Sequence, residues 1–445
     1  MRVKCNLLFL FFFAIGLLSC KSVEVTKPAV AETLVIKTDA VPAQTITNLF
    51  GNSLRFFEIS RNAKGMYRDS KNLVGADYHP CSVANVGMGL ISLCIGDKMG
   101  WNLDAKNQAI KTLNTLVGYT TGFKLDVNAA GFPRHFVDME TGARAWNSEY
   151  STIDAAIMVE GALFCKKYFI NDVTIRNLAD KLYQSINWQK AIADADNGKI
   201  WRELDANGNG VPGSETGAYN EYINVSYLAF KSENNPYGTG PATRLWNKFY
   251  SNPADANNPL PKKNYWGYNT LTDNPNNFLS SFISQYSYYL CGPYASNATY
   301  RNFSTNMMNA DKKWWTFQGV QAYEWGIGAG VSPGGYAANA VENNPYKMVS
   351  PQIIAGFIPQ NANAATDFMN MYNAEKGVYY LPGENNRPVL WRYSITNPTY
   401  RADVISGVDF ATELFGLASL PQHCGANFFS NNNSYNFPVY SYTHL

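Results

Sequence analysis

The chain has 445 residues, a formal net charge of +2 and 46% hydrophobic residues, enough for one large core or two ordinary ones. Only 16% are charged, while 14% are aromatic and Tyr alone contributes 29. That balance excludes a mainly disordered, collagenous or extended coiled-coil chain.

The N-terminus reads as an export signal. Arg2 and Lys4 supply a short positive region, and Leu7 to Leu18 is nearly all apolar. The run is too short for a stable membrane span. Leu17-Leu18-Ser19-Cys20 resembles a lipobox, so residues 1–19 are expected to be removed and Cys20 to carry a lipid. The expected destination is the outer membrane, on its periplasmic or cell-surface side. Without the signal, 34 basic residues face 34 acidic ones. A neutral chain has no general field to attract nucleic acid. Of the seven cysteines, Cys5 and Cys20 belong to this segment. The other five, Cys81, Cys94, Cys165, Cys291 and Cys424, form no CxxC pair and read as buried thiols. Zinc is not expected with four His and no clustered ligands.

Residues 20–51, rich in Val, Thr, Ala and Pro, read as a tether, and one domain is expected over 52–445. Its apolar signal is helical. Ala105–Val117 places Ala105, Ala109, Leu113 and Leu116 on one face. Further helices are expected over Ile153–Phe169, Thr174–Ile186, Tyr222–Phe230, Ala242–Tyr250, Asn277–Leu290, Ala364–Tyr372 and Phe410–Leu420. No alternating strand series or strand–helix rhythm is evident, which argues against a sandwich and a (β/α) barrel. A helical barrel or a helical stack remains, and the absence of a fixed-period repeat weakens the stack. The loops between helices are rich in Trp, Tyr and Asn. Aromatic rings can cover the apolar faces of sugars while amides and acids bind their hydroxyls.

The densest polar stretch runs from Gly131 to Asp154. Asp138, Glu140, Glu149 and Asp154 fall within it, with His135 and Trp146 nearby. The plain reading is structural. Ser151-Thr152-Ile153-Asp154 fits a capping box, Glu149 favours the positive helix end, and Asp138–Gly142 fits a turn. The functional reading uses the same geometry. In a closed helical barrel, loops entering parallel inner helices would set carboxylates around one cavity. Glycoside hydrolysis needs two such groups, one to protonate the leaving oxygen and one to activate water or attack the sugar.

A second helix entrance supplies the partner. In Thr216-Gly217-Ala218-Tyr219-Asn220-Glu221-Tyr222, Asn220 is placed to cap a helix with Glu221 in its first turn. Dipole compensation is the structural alternative for Glu221. Arg202, Glu203 and Glu215 are groove or surface-pair candidates, and Gln285, Tyr286, Glu324 and Trp325 are weaker sugar-contact candidates. Asp205-Ala206-Asn207-Gly208-Asn209-Gly210 matches half a calcium loop, but Thr216 stands where the closing Glu belongs. No cofactor is expected, because no phosphate loop, dinucleotide fingerprint or Gly-x-Ser-x-Gly elbow occurs.

His135-Phe136-Val137-Asp138-Met139-Glu140-Thr141-Gly142 with Glu149-Tyr150-Ser151-Thr152-Ile153-Asp154 resembles the signature of the glucoamylase-like proteins. That group includes bacterial endo-β-1,2-glucanases of an (α/α)6-barrel glycoside hydrolase family. Tyr219-Asn220-Glu221 resembles its second acidic motif, and Cys81–Leu90 an earlier helix entry. The resemblance covers residues 52–420. It implies an all-α (α/α)6 toroid and β-glucan or oligosaccharide hydrolysis by inversion. Glu221 would be the acid, Asp138 or Asp154 would position or activate water, and Glu149 is the fourth matching acid. His135, Glu140, Trp146, Arg202 and Tyr219 would line the substrate site. Two departures leave linkage specificity open. Ser284 and Ser287 flank Gln285 where relatives tend to have His, and Phe132-Pro133-Arg134 precedes His135 in place of an aromatic pair. A noncatalytic glycan-binding lipoprotein is the competing expectation. The partners implied are a glucan and a lipid anchor, and a monomer is expected.

Overall fold

The structure is a computed structural model that describes residues 45–445 apart from 236, 275, 276 and 385. The export signal, Cys20 and most of the tether lie outside the described residues. Fourteen α-helices occur among the described residues. They are α1 (Ile46–Ser60), α2 (Val83–Lys98), α3 (Ala105–Leu116), α4 (Thr152–Tyr168), α5 (Val173–Gln184), α6 (Ile223–Ser232) and α7 (Pro241–Leu245). Then come α8 (Phe282–Leu290), α9 (Gly292–Ser296), α10 (Ala298–Phe317), α11 (Pro351–Gly356), α12 (Asn363–Asn373), α13 (Gly407–Ala418) and α14 (Phe428–Asn432). The first of them, α1, opens inside the stretch read as tether and buries Leu49 and Phe50.

Burial sorts the long helices into two kinds. Every residue of α2 from Val83 to Gly96 is buried, as is every residue of α4 from Asp154 to Lys166. A helix covered on all sides lies in an interior. By contrast α3 buries Ala105, Ala109, Thr112, Leu113 and Leu116, and α5 buries Ile175, Leu178, Ala179 and Leu182. Those are single stripes of surface helices. The inner helices neighbour one another in the order α2, α4, α6, α8, α11, α13, and α13 returns to α2. Around them α3 packs on α2, α5 on α4, α7 on α6, α10 on α8 and α12 on α11, while α1 covers α13 and α2.

The entrances to the inner helices repeat a local device. Ser82, Ser151, Ser281, Ser350 and Ser406 stand at the N-caps of α2, α4, α8, α11 and α13. Short strands lead into four of them and pair with neighbouring loops. Cys81–Ser82 pairs with Phe136–Val137, Tyr150–Ser151 with Glu203–Leu204, and Val404–Ser406 with Ser70–Asn72. Met348–Val349, ahead of Ser350, pairs with Tyr393–Ser394. These ladders fasten the loops carrying His135, Arg202 and Asp69 beside the helix starts.

Most expected helices are present, with several differences. Residues 277–281 are not helical, because Ser281 N–H donates to Ile327 O at 2.9 Å and α8 starts at Phe282. The segment Ala242–Tyr250 divides into α7 and a π-helical turn, Trp246–Tyr250. The sequence pattern also passes over α1, α9, α10, α11 and α14. The five cysteines among the described residues are buried thiols, and the Sγ atoms of Cys94 and Cys165 approach to 3.3 Å.

Candidate active site

His135 is the hub of the polar rim. Its backbone is pinned on both sides, with its carbonyl accepting from Val83 N–H and its own N–H donating to Glu149 O. The ring stacks on Phe136 with centroids 3.7 Å apart. Nδ1 lies 2.9 Å from Glu149 Oε1, and Nε2 lies 3.5 Å from Asp154 Oδ1. Desolvation opposes a charge on the imidazole, but Asp154 and Glu149 outweigh it and raise the ring to about 9. Burial opposes the Glu149 carboxylate too, yet His135 holds it below its ordinary value. Asp154 is more deeply buried, and desolvation raises it against the pull of His135 and Ser151. The Ser151 hydroxyl donates to Asp154 Oδ2 and accepts from Asp154 N–H, so the capping box and the His135 pair coexist in one side chain.

Glu221 does not sit in the first turn of α6. The helix starts at Ile223, and Glu221 occupies the turn before it, held by Asn224 N–H donating to Glu221 O at 3.1 Å. A carboxylate that served the helix dipole would be lowered. Instead desolvation, helped by the charges of Asp273 and Asp154, raises Glu221 to about 7, with Arg202 opposing. The acids of the two helix entrances therefore share one electrostatic neighbourhood. Tyr286, buried in α8, lies within the same reach of Glu221, Asp154 and Asp409, and its hydroxyl donates to Val408 O.

The other expected residues divide. Trp146 is half exposed, adopts φ 52°, and meets Phe136 and His79 in edge contacts with ring centroids 5.0 and 5.5 Å away. Arg202 donates from Nε to Ser214 O while its charge acts on Glu221. Asp138 is exposed, and its Oδ1 accepts from Thr141 N–H, Thr141 Oγ1–H and Glu140 N–H. Those bonds close its own turn and hold the carboxyl below its ordinary value. Glu140 is exposed and accepts from Asn62 Nδ2 at 2.9 Å. Tyr219 is buried with its hydroxyl 3.2 Å from that of Tyr294. Gln285 donates to Ile353 O, tying α8 to α11. Glu324 accepts from Tyr393 OH, and Trp325 Nε1 donates to Asp367. These last four are engaged in packing between elements. Ser284 donates to Ser304 and Ser287 to Ile283 O, so both hydroxyls serve α8 and its neighbours. The Asp205–Gly210 segment is a turn in which Asp205 Oδ1 accepts from Asn207 and Asn209 N–H.

Sequence reasoning missed Asp409, Asp69 and Asp273. Asp409 repeats the Ser151–Asp154 spacing at the α13 entrance, with Ser406 Oγ donating to its Oδ2 at 2.6 Å. Tyr336 OH adds a second bond at 3.0 Å. Burial still pushes Asp409 up to about 6. The signal that could have found it is that repeated Ser-x-x-Asp ahead of an apolar helix. Asp69, beside His79 at 3.5 Å, adds negative charge near His135, Asp154 and Asp409.

His135, Glu149 and Asp154 bring three ligand-type atoms within 4.8 Å of one another. Both imidazole nitrogens face carboxylates, so these residues form an imidazolium clamped by acids, and a metal ion would have to displace one of the two pairs.

No protein-family model matches the chain, and no curated protein matches it. Solved structures do. The endo-β-1,2-glucanase from Chitinophaga pinensis, with sophorotriose and glucose, is 15% identical at a TM-score of 0.70, covering 88% of this chain and 96% of its own. A protein from Bacteroides uniformis, provisionally named a glucoamylase, is 16% identical at 0.71, covering 89% and 98%. The endo-β-1,2-glucanase from Talaromyces funiculosus, as a mutant in complex with β-1,2-glucan, is 13% identical at 0.60, covering 89% and 93%. The chain is thus similar in fold to the endo-β-1,2-glucanases and glucoamylase-like proteins that its acidic motifs resemble.

Proposed function

We propose that this protein is a glycoside hydrolase that cleaves a β-glucan inside an (α/α)6 toroid, with β-1,2-linked glucan the first substrate to test. The observation that carries the reading is Glu221. Its carboxyl, raised to about 7, holds a proton near neutrality and shares a polar rim with ionised acids. A general acid needs that property. Glu221 donates its proton to the leaving glycosidic oxygen as the C–O bond breaks. A water attacks the anomeric carbon from the other face and gives its proton to a carboxylate, which inverts the centre. Asp154, kept beside the charged His135, is assigned that carboxylate, and Asp409 is the second candidate. Trp146 offers a ring face to a sugar, and Arg202 and Glu149 bound the site.

The test is hydrolysis of a panel of β- and α-glucans by the purified protein, read as new reducing ends. Glu221→Gln should lower turnover by roughly 10²- to 10⁴-fold while the protein still binds glucan. Asp154→Asn and Asp409→Asn decide the base, because the true one loses turnover by a similar factor. Retention of full activity by Glu221→Gln would remove the acid assignment. Tight binding with no turnover on any glucan would identify a noncatalytic glycan-binding lipoprotein instead.

The export signal supports a lipid-anchored protein held at the outer membrane through Cys20. Cys20→Ala should move it from the membrane fraction to the soluble fraction of the same cells.

A further inference from the structure

A cavity lies away from the acids. It has a volume of about 480 Å³ and opens between α1, the C-terminal half of α2, and the start of α3. That size suits one or two sugar rings. The α2 helix, capped by Ser82 next to His135, runs for 16 residues from Val83 to Lys98. At a rise of about 1.5 Å per residue this separates the two ends by roughly 24 Å. Trp101, just past the far end, is on the cavity wall.

Trp101 is fixed rather than loose. Its N–H donates to Gly96 O at 2.9 Å. Its ring meets Phe50 with centroids 5.1 Å apart and lies close over Gly51. Yet the side chain is 42% exposed, and Leu103 beside it is 93% exposed. Trp101 and Leu103 thus form an exposed apolar pair at the mouth of the cavity. Facing it are groups suited to hydroxyls. Arg61, Asn102 and Gln108 line the wall, with Arg61 donating to Gln108 O and Thr112 Oγ1 and Asn102 to Gln108 Oε1, while Arg61 Nε is buried with no acceptor. The charges on the wall balance, Arg55 and Arg61 against Glu58 and Asp104. Arg55 is taken up by Glu58 at 2.9 Å and Glu384 at 2.7 Å, and Asp104 also lines the wall. An anion gains nothing from such a wall. A neutral, hydroxyl-rich ligand with one apolar face fits it.

We infer that this cavity is a second glycan-binding site, in which Trp101 stacks on a sugar ring of the polymer while its other end is held at the acids. The inference rests on the glucan reading above and adds to it a place where long chains gain affinity that short ones do not. Two linked contacts on one chain raise effective affinity without any change in either contact.

The experiment compares polymeric β-1,2-glucan with short β-1,2-linked oligosaccharides, using the full chain. Trp101→Ala and the surface change Leu103→Glu should each weaken retention in gels containing the polymer by roughly tenfold. Each should raise KM for the polymer and leave kcat/KM for a trisaccharide or tetrasaccharide unchanged, which also certifies the fold. Unchanged polymer retention and KM in both variants, with wild-type turnover intact, overturns the second site and leaves the hydrolase standing. Equal losses on polymer and oligosaccharide overturn it too, by joining Trp101 to the acid site. A wild-type protein that neither binds nor cleaves any glucan ends both.

Discussion

At the scale of single residues, the proposed chemistry depends on burial working against charge. Glu221 and Glu149 are both glutamates at helix entrances, and their surroundings push them in opposite directions. Desolvation dominates at Glu221, whereas the His135 ring overcomes it at Glu149. Two carboxyls pushed apart in this way are what acid–base catalysis near neutrality requires. The pH dependence follows with its sign. In the mechanism proposed above the active form carries a proton on Glu221, so kcat/KM should fall as pH rises through about 7, approaching tenfold per unit above it. On the acid side the assigned base, Asp154, must be ionised. Its raised pKa predicts a second decline as pH drops toward the ordinary carboxylate range, giving a bell. Rates on a soluble oligosaccharide across roughly pH 4 to 9 check this, and a flat profile across neutrality would refute the role of Glu221.

At the scale of elements, glycines set how closely the inner helices approach. A Cβ at Gly87 of α2 would come within 2.1 Å of Ile157 O on α4, and one at Gly161 within 2.3 Å of Gly87 O. Each backbone lies where the other's side chain would be, so neither can yield cheaply. Gly87→Ala and Gly161→Ala should each destabilise the fold by about 1–3 kcal/mol or more, read as a lowered Tm or denaturant midpoint. The same crossing explains part of what the sequence made legible. An inner helix such as α4 announces itself by a continuous apolar run, and the outer helices α3 and α5 by an apolar stripe. The α10 helix follows a helical burial pattern through Tyr300, Ser304, Met307, Met308, Asp311 and Trp315, but two of those positions are polar. Ser304 and Asp311 are buried because they meet partners from other elements, Ser281 and Gly326 among them. No local pattern could reveal those partners. Asp138 and Asp154 make the same point within the site. Their spacing announced a helix entrance lined with acids, but which acid turns into its own loop and which meets His135 was settled by contacts between elements. Asp409 stayed hidden because its entrance lies far along the chain, although it carries the same Ser-x-x-Asp.

At the scale of the whole molecule, the closing segment acts as a strap across elements that precede it by hundreds of residues. Lys166 Nζ at the end of α4 donates to Asn436 O at 2.6 Å. Gln184 of α5 exchanges bonds with Val439 and Thr443, and Asn234 beyond α6 exchanges two with Tyr440. Tyr442 OH then donates to Ala129 O. Phe437 fills the space between Tyr183 and Tyr227, joining α5 to α6 through aromatic edges. None of these residues reaches His135, Glu149, Asp154 or Glu221, so the strap acts on the stability of the ring rather than on its chemistry. Ending the chain after Tyr435 removes the Phe437 and Tyr440 packing together with these bonds. The expected loss is on the order of 3 kcal/mol or more, by analogy with deletion of buried aromatic rings. The shortened protein should unfold at a lower temperature by calorimetry. Turnover per folded molecule on a short oligosaccharide, measured well below that temperature, should match the full chain. A drop in that specific turnover would mean that the strap also holds the helix entrances in register, because its contacts near Ala129 and Ile186 touch the loops leading into α4 and away from α5.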